Sequence, residues 1–158
     1  MKLYSSLTDY LFIVSNNRPL LQRVFFAGVL FVFICNYVEG LFITQIGLNP
    51  ILYQEIDPSY WLLMLLRIPQ FIAGNKLISL CFDGLLILTA LISFIGPSGV
   101  WSVRLFWGSY FLYFMIFNFL AGHHYANIGI MVAGFPFMFK RSNIFSLLFA
   151  SARYYFLF

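Results

Sequence analysis

From Leu105 to Gly122 the chain reads LFWGSYFLYFMIFNFLAG and carries no charged side chain. A second uncharged stretch, ANIGIMVAGFPFMF, follows it. Between the two stands HHY, which holds the only histidines of the protein, His123 and His124. Stretches of this kind approach or exceed the roughly 20 apolar residues that a helix needs to cross about 30 Å of hydrocarbon. The rest of the chain leaves no other use for them. It is 62% hydrophobic and 9% charged, where a soluble domain carries about 25% charged residues to cover its surface. A membrane barrel is excluded by pattern, because its strands alternate polarity over about ten residues and these runs are continuous. The expected fold is all-α: a polytopic membrane helical bundle of about four spans plus the start of a fifth, in one membrane-embedded domain covering residues 1–158.

Taken in order, residues 1–21 mix Leu3, Leu7, Tyr10, Leu11 and Val14 with Lys2, Ser5, Asp9 and Asn16, which suits an amphipathic segment lying at the interface. Pro19 is placed to open the first span, expected over 24–43. Asn36 and Glu39 near its far end share a face. Glu39 is either at headgroup depth or in a buried polar contact. Residues 61–74 are apolar, but Arg67 and Pro69 break them, and they fall short of the roughly 17 residues of a span, so they read as re-entrant or interfacial. The second span is expected over 77–96. Asp83 lies about two turns into it, costly there unless it faces other helices or water, and Lys76 is too far along the axis to pair with it unaided. Further spans are expected over 105–121 and 125–139, with a possible partial span over 144–158. In the fourth, Gly129 and Ala133 form a small-residue face for a neighbouring helix, and Pro136 introduces a kink.

The charges set the orientation. If 61–74 does not cross, then Lys2, Arg18, Arg23, Arg104, Lys140 and Arg141 fall on one side, with Arg67 and Lys76 as the exceptions, and the positive-inside rule makes that side, with the N-terminus, cytoplasmic. Asp9 interrupts the N-terminal segment and no small-residue cleavage site follows, so a cleavable signal peptide is not expected. A bacterial inner membrane fits this pattern. The net charge of +4 is dispersed between apolar runs, which is a topology signal and not a nucleic-acid footprint. Cys35 and Cys81 have no CxxC spacing and read as small packing residues. The ending RYYFLF, without a polar tail, points to a longer full product.

Candidate chemistry centres on His123, His124 and Asp83. Adjacent helical side chains diverge by about 100°, so the two histidines cannot be opposed axial ligands of one haem. A metal site recruiting Asp83 or Glu39 is not demanded by any spacing, and no metal is expected. Two readings stay open: one histidine acting as acid or base near the membrane surface, or both as polar residues of an interfacial turn. The aromatic residues Phe106, Trp107, Tyr110, Phe111, Tyr113, Phe114, Phe117 and Phe119 surround their helix. They serve lipid contact and packing, or else a flat ring-bearing ligand such as a quinone between helices. No GxSxG, Walker A, HExxH or CxxC pattern occurs, which argues against a self-contained hydrolase or NTPase.

The sequences YFLYFMIF and HHYANIGIMV, with Arg23 before them and ARYYFLF after, resemble the horizontally transferred transmembrane (HTTM) family, which includes vitamin K-dependent γ-carboxylase. The resemblance covers roughly Arg23 to Phe158. It implies a helical membrane bundle with a functional histidine in the turn, at His123. The family's proposed catalytic lysine lies on a later helix, beyond Phe158. LLRIPQFIAGNKL is similar to the small DoxX-like membrane proteins. Two functions are therefore expected to compete. One is a non-catalytic or accessory subunit that associates with other membrane proteins and the lipid bilayer. The other is a carboxylase-like or quinone-linked enzyme, with His123 or His124 as acid or base and Asp83 orienting within the bundle.

Overall fold

The computed structural model describes residues 16–47, 65–96, 100–121, 126–140 and 142–155, together with Asp9 and Ile13. Among the described residues the regular structure is entirely helical. The first helix, α1, runs Arg18–Val38, with Pro19 in its opening turn, where a missing N–H costs nothing. It ends because Gly40 takes a left-handed conformation (φ +73°). Gly40 N then donates to Tyr37 O and Leu41 N to Asn36 O, which satisfies the last carbonyls and turns the chain back. The one-turn helix α2, Ile43–Ile46, follows immediately.

Helix α3 is Ile68–Ala73; at about 1.5 Å per residue it rises only about 9 Å. The interruption expected around Arg67 is present, and that residue is left-handed (φ 53°). Helix α4 is Lys76–Ile95, capped by Asn75, whose Oδ1 accepts from Leu77 N at 3.0 Å and Ile78 N at 3.4 Å. Helix α5 is Val100–Ala121 and α6 is Ala126–Gly134. A 3-10 turn at Phe135–Met138 precedes α7, Ser142–Tyr155. The fourth expected span is thus nine residues of α-helix closed by a tight turn. Pro136 cannot continue the α-helical ladder, having no N–H to donate.

Among the described residues, three segments are long and apolar enough to cross a membrane: Arg18–Ile46, Lys76–Ile95 and Val100–Asn118. Ile128–Met138 and Asn143–Ala152 are apolar but shorter. The pattern of burial fits hydrocarbon surroundings. On α4 the inward stripe is Ser79, Asp83, Leu86, Ala90 and Ser93, alternating four and three residues apart, while Leu77 is 69% exposed and Leu80 and Leu88 also face outward. Polar and small groups point in and large aliphatics point out, as expected where lipid is as apolar as leucine and helices associate through packing and hydrogen bonds. The molecule is a helical bundle with the spans of an integral membrane protein.

Helices α1 and α4 run antiparallel. Gln22 Nε2 near the start of α1 donates to Ser93 O near the end of α4, at 2.9 Å, and Thr44 beyond α1 meets Asp83 in the first half of α4. Glu39 and Asn75 therefore lie towards the same end of the bundle. At the other end Arg18 Nη1 and Nη2 donate to Lys140 O and Phe137 O, and Arg104 Nε donates to Met138 O.

The core is a column of rings. The aromatic residues of α5 divide into two sets: Phe106, Tyr110, Tyr113 and Phe117 are buried, while Phe111 faces outward. Successive buried rings are 5.5, 5.7 and 5.7 Å apart between centroids, and Phe26 meets Phe106 edge-on at 5.0 Å. Each such pair contributes about 0.5–1.5 kcal/mol beyond its area. That matters here because hydrophobic transfer supplies little between helices in lipid.

At Gly134, α6 comes close to α1. A Cβ there would lie 3.1 and 3.3 Å from the Phe25 ring. Gly134→Leu should therefore overpack the contact and cost about 1–3 kcal/mol, read as a lower melting temperature in mild detergent. Combining it with Phe25→Ala should cost less than the two single losses added together.

Candidate functional site

Asp83 is where the sequence and the fold meet. It sits two turns into α4, is 5% exposed, and points into the bundle. Its Oδ2 accepts the backbone N–H of Thr44 at 2.9 Å and, in a short contact, the Thr44 hydroxyl. The reason is local. The turn at Gly40 stops α1 before Thr44, so the first turn of α2 has N–H groups with no helical partner. Buried without a partner, a backbone donor costs about 1–3 kcal/mol. Asp83, carried by a neighbouring helix, supplies the missing acceptor.

A second side chain repairs the same break. Tyr113, fully buried on α5, donates its hydroxyl to Leu41 O at 3.0 Å. The Tyr113 hydroxyl is also approached by the half-buried Asn36 side chain of α1 and lies within electrostatic reach of Asp83. Asn36, Leu41, Thr44, Asp83 and Tyr113 thus draw α1, α2, α4 and α5 to one point. One acceptor is left over: Asp83 Oδ1 is buried with no hydrogen-bond partner among the described residues. Chemically, the arrangement is a hydrogen-bonded clasp with one spare carboxyl oxygen in apolar surroundings.

Of the three residues singled out in the sequence, only Asp83 can be placed. His123 and His124 lie outside the described residues. Glu39 is exposed at the end of α1, and Lys76 is exposed at the start of α4. Among the described residues no three histidine, cysteine or acidic side chains are grouped as a metal site would need. Cys35 and Cys81 are free, the first half-buried and the second exposed on the lipid side of α4. Sequence reading missed Thr44 and Tyr113. The available signal was the glycine closing α1 four residues before Thr44, which leaves donors to be satisfied.

A cavity of about 450 Å³ lies away from this cluster, between α5, α6, the 3-10 turn and α7. Trp107, Phe114, Met131, Phe135, Leu148 and Ala152 are among its walls. Trp107 Nε1 is occupied by Met131 O at 3.1 Å, so the cavity wall is apolar on that side too.

The clasp yields an ordered pair of substitutions. Asp83→Ala removes the acceptor from both Thr44 groups and should cost about 2–4 kcal/mol. Thr44→Val keeps the backbone bond and should cost about 1–2 kcal/mol. Thermal unfolding in detergent should rank them in that order, and equal losses would mean that the Thr44 backbone bond contributes nothing.

The chain was compared with protein-family models, with curated proteins and with solved structures, and it matches none of them, so the resemblances read from its sequence rest on the residues quoted for them.

Proposed function

We propose that this protein is a non-catalytic, membrane-embedded subunit that associates laterally with other membrane proteins. The observation that carries the reading is how its inward polar side chains are used. Gln22, Tyr113, Arg18 and Trp107 all donate to backbone carbonyls, and Asp83 accepts from a backbone N–H. These groups are spent on holding helix ends together. The outward faces of α1 and α4 present Phe31, Ile34, Val38, Leu77 and Leu80, surfaces suited to lipid and to apolar neighbouring helices.

Intact-mass spectrometry of the gently solubilised native protein tests this. The expected result is a stoichiometric protein partner, with His123→Ala leaving assembly unchanged. A lone chain retaining a quinone-sized ligand, with a quinone-dependent activity lost in His123→Ala, would sink the proposal.

One observation favours a second reading. The unpartnered Oδ1 of Asp83 is a buried acceptor of the kind that orients an acid or base. In that reading His123 or His124 is the proton-transfer group of a carboxylase-like or quinone-linked enzyme, and Asp83 positions it or its substrate.

The proposed setting is a bacterial inner membrane with the N-terminal side cytoplasmic. Support comes from Arg18, Arg104 and Lys140, which gather at one end of the bundle, with Arg23 about one turn from Arg18. With Cys35 and Cys81 replaced by serine, a cysteine placed at Asn17 or Lys140 should resist an impermeant maleimide applied to intact cells, and one placed at Glu39 should react. The reverse pattern would invert the orientation.

A further inference from the structure

We infer that the cavity between α5, α6 and α7 is a binding site for one anionic phospholipid, with an acyl chain in the groove and its phosphate at Arg104 and Lys140. The inference rests on the membrane setting and not on the accessory-subunit reading. Two features on different elements meet here. The first is the groove itself, about 450 Å³ and walled by Trp107, Phe114, Met131, Phe135, Leu148 and Ala152. That falls in the range of about 300–1,000 Å³ typical of small-ligand sites. From Trp107 to Phe114 it follows α5 for about 10 Å towards the middle of the bundle, the direction an acyl chain takes from the interface.

The second feature is the charge at its mouth. Arg104 lies one turn before Trp107 on the same face of α5. Its Nε donates to Met138 O at 3.0 Å, and its guanidinium lies over the Trp101 ring, 5.3 Å from the centroid. This anchors the cation beside the 3-10 turn whose Phe135 and Pro136 wall the groove. Arg104 is nevertheless exposed beyond that bond, and Lys140, two residues after Met138, is exposed as well. Arg18 adds a third, half-buried cation through its bonds to Phe137 O and Lys140 O. Of the described carboxyl groups, Glu39 and Asp83 belong towards the opposite end and Asp9 precedes α1, and none of the three forms an ion pair with Arg104 or Lys140. An apolar slot with uncompensated cations at its interfacial end matches a phospholipid with a net negative headgroup, and a zwitterionic lipid matches only the slot.

The test uses the full chain reconstituted in phosphatidylcholine vesicles, with Trp61→Phe and Trp101→Phe leaving Trp107 as the sole tryptophan. Phospholipids brominated on the acyl chain quench a tryptophan they touch. Brominated phosphatidylglycerol should quench Trp107 at a lower mole fraction than brominated phosphatidylcholine. Lys140→Gln, a change to an exposed side chain, should shrink that preference about fivefold, and high salt should weaken it. Ala152→Phe should fill the groove and reduce quenching by both lipids. Equal quenching by the two headgroups, or a preference unmoved by Lys140→Gln and salt, would overturn the proposal. So would a Trp107 that neither lipid reaches, the result expected if a partner helix occupies the groove. If Ala152→Phe does not fold, the headgroup comparison still decides.

Discussion

A helix that stops inside a packed bundle must find, within the protein, a partner for every backbone group that it buries. The organisation of this bundle follows from that requirement. Gly40 ends α1 and starts a one-turn helix, and two side chains from two other helices close the account: Asp83 accepts from Thr44, and Tyr113 donates to Leu41. The same rule operates at the opposite end, where the chain leaves the α-helical ladder at Pro136. The carbonyls of Phe137, Met138 and Lys140 are met by Arg18 and Arg104. Where backbone regularity is lost, a long polar side chain from elsewhere supplies the bond.

Between these two ends the bundle has a second source of order. The buried rings of α5 pack on one another and against Phe26, edge-on, and Phe33, tilted, of α1. Rings offer large contact areas with few rotatable bonds, so fixing them costs little conformational entropy. The small residues facing them on α4, Ala90 and Ser93 among them, let the helices approach.

Much of this could be read from the sequence, and the reasons are specific. Uncharged runs of span length mark helices because in a bilayer they have few alternatives. Asp83 could be oriented because a carboxyl group two turns into such a helix has a high cost on the lipid side. The break at Pro136 follows from the chemistry of one residue. What could not be read depends on distant parts of the chain. The sequence shows Gly40 but not that its left-handed turn would deliver Thr44 to a side chain 39 residues away. The aromatic residues of α5 look evenly spread until the neighbouring helices select four of them for the interior. The groove is invisible because its walls come from three separate helices and a turn.

The bonds of Arg18 also order events in time. Its acceptors, Phe137 O and Lys140 O, lie 119 and 122 residues further along the chain. At a synthesis rate of about 5–20 residues per second, they emerge roughly 6–24 s after Arg18 does. During that interval the guanidinium at the head of the first helix has only water and lipid phosphate to bond. The first helix thus waits in the membrane unlatched, until a turn made more than a hundred residues later secures it.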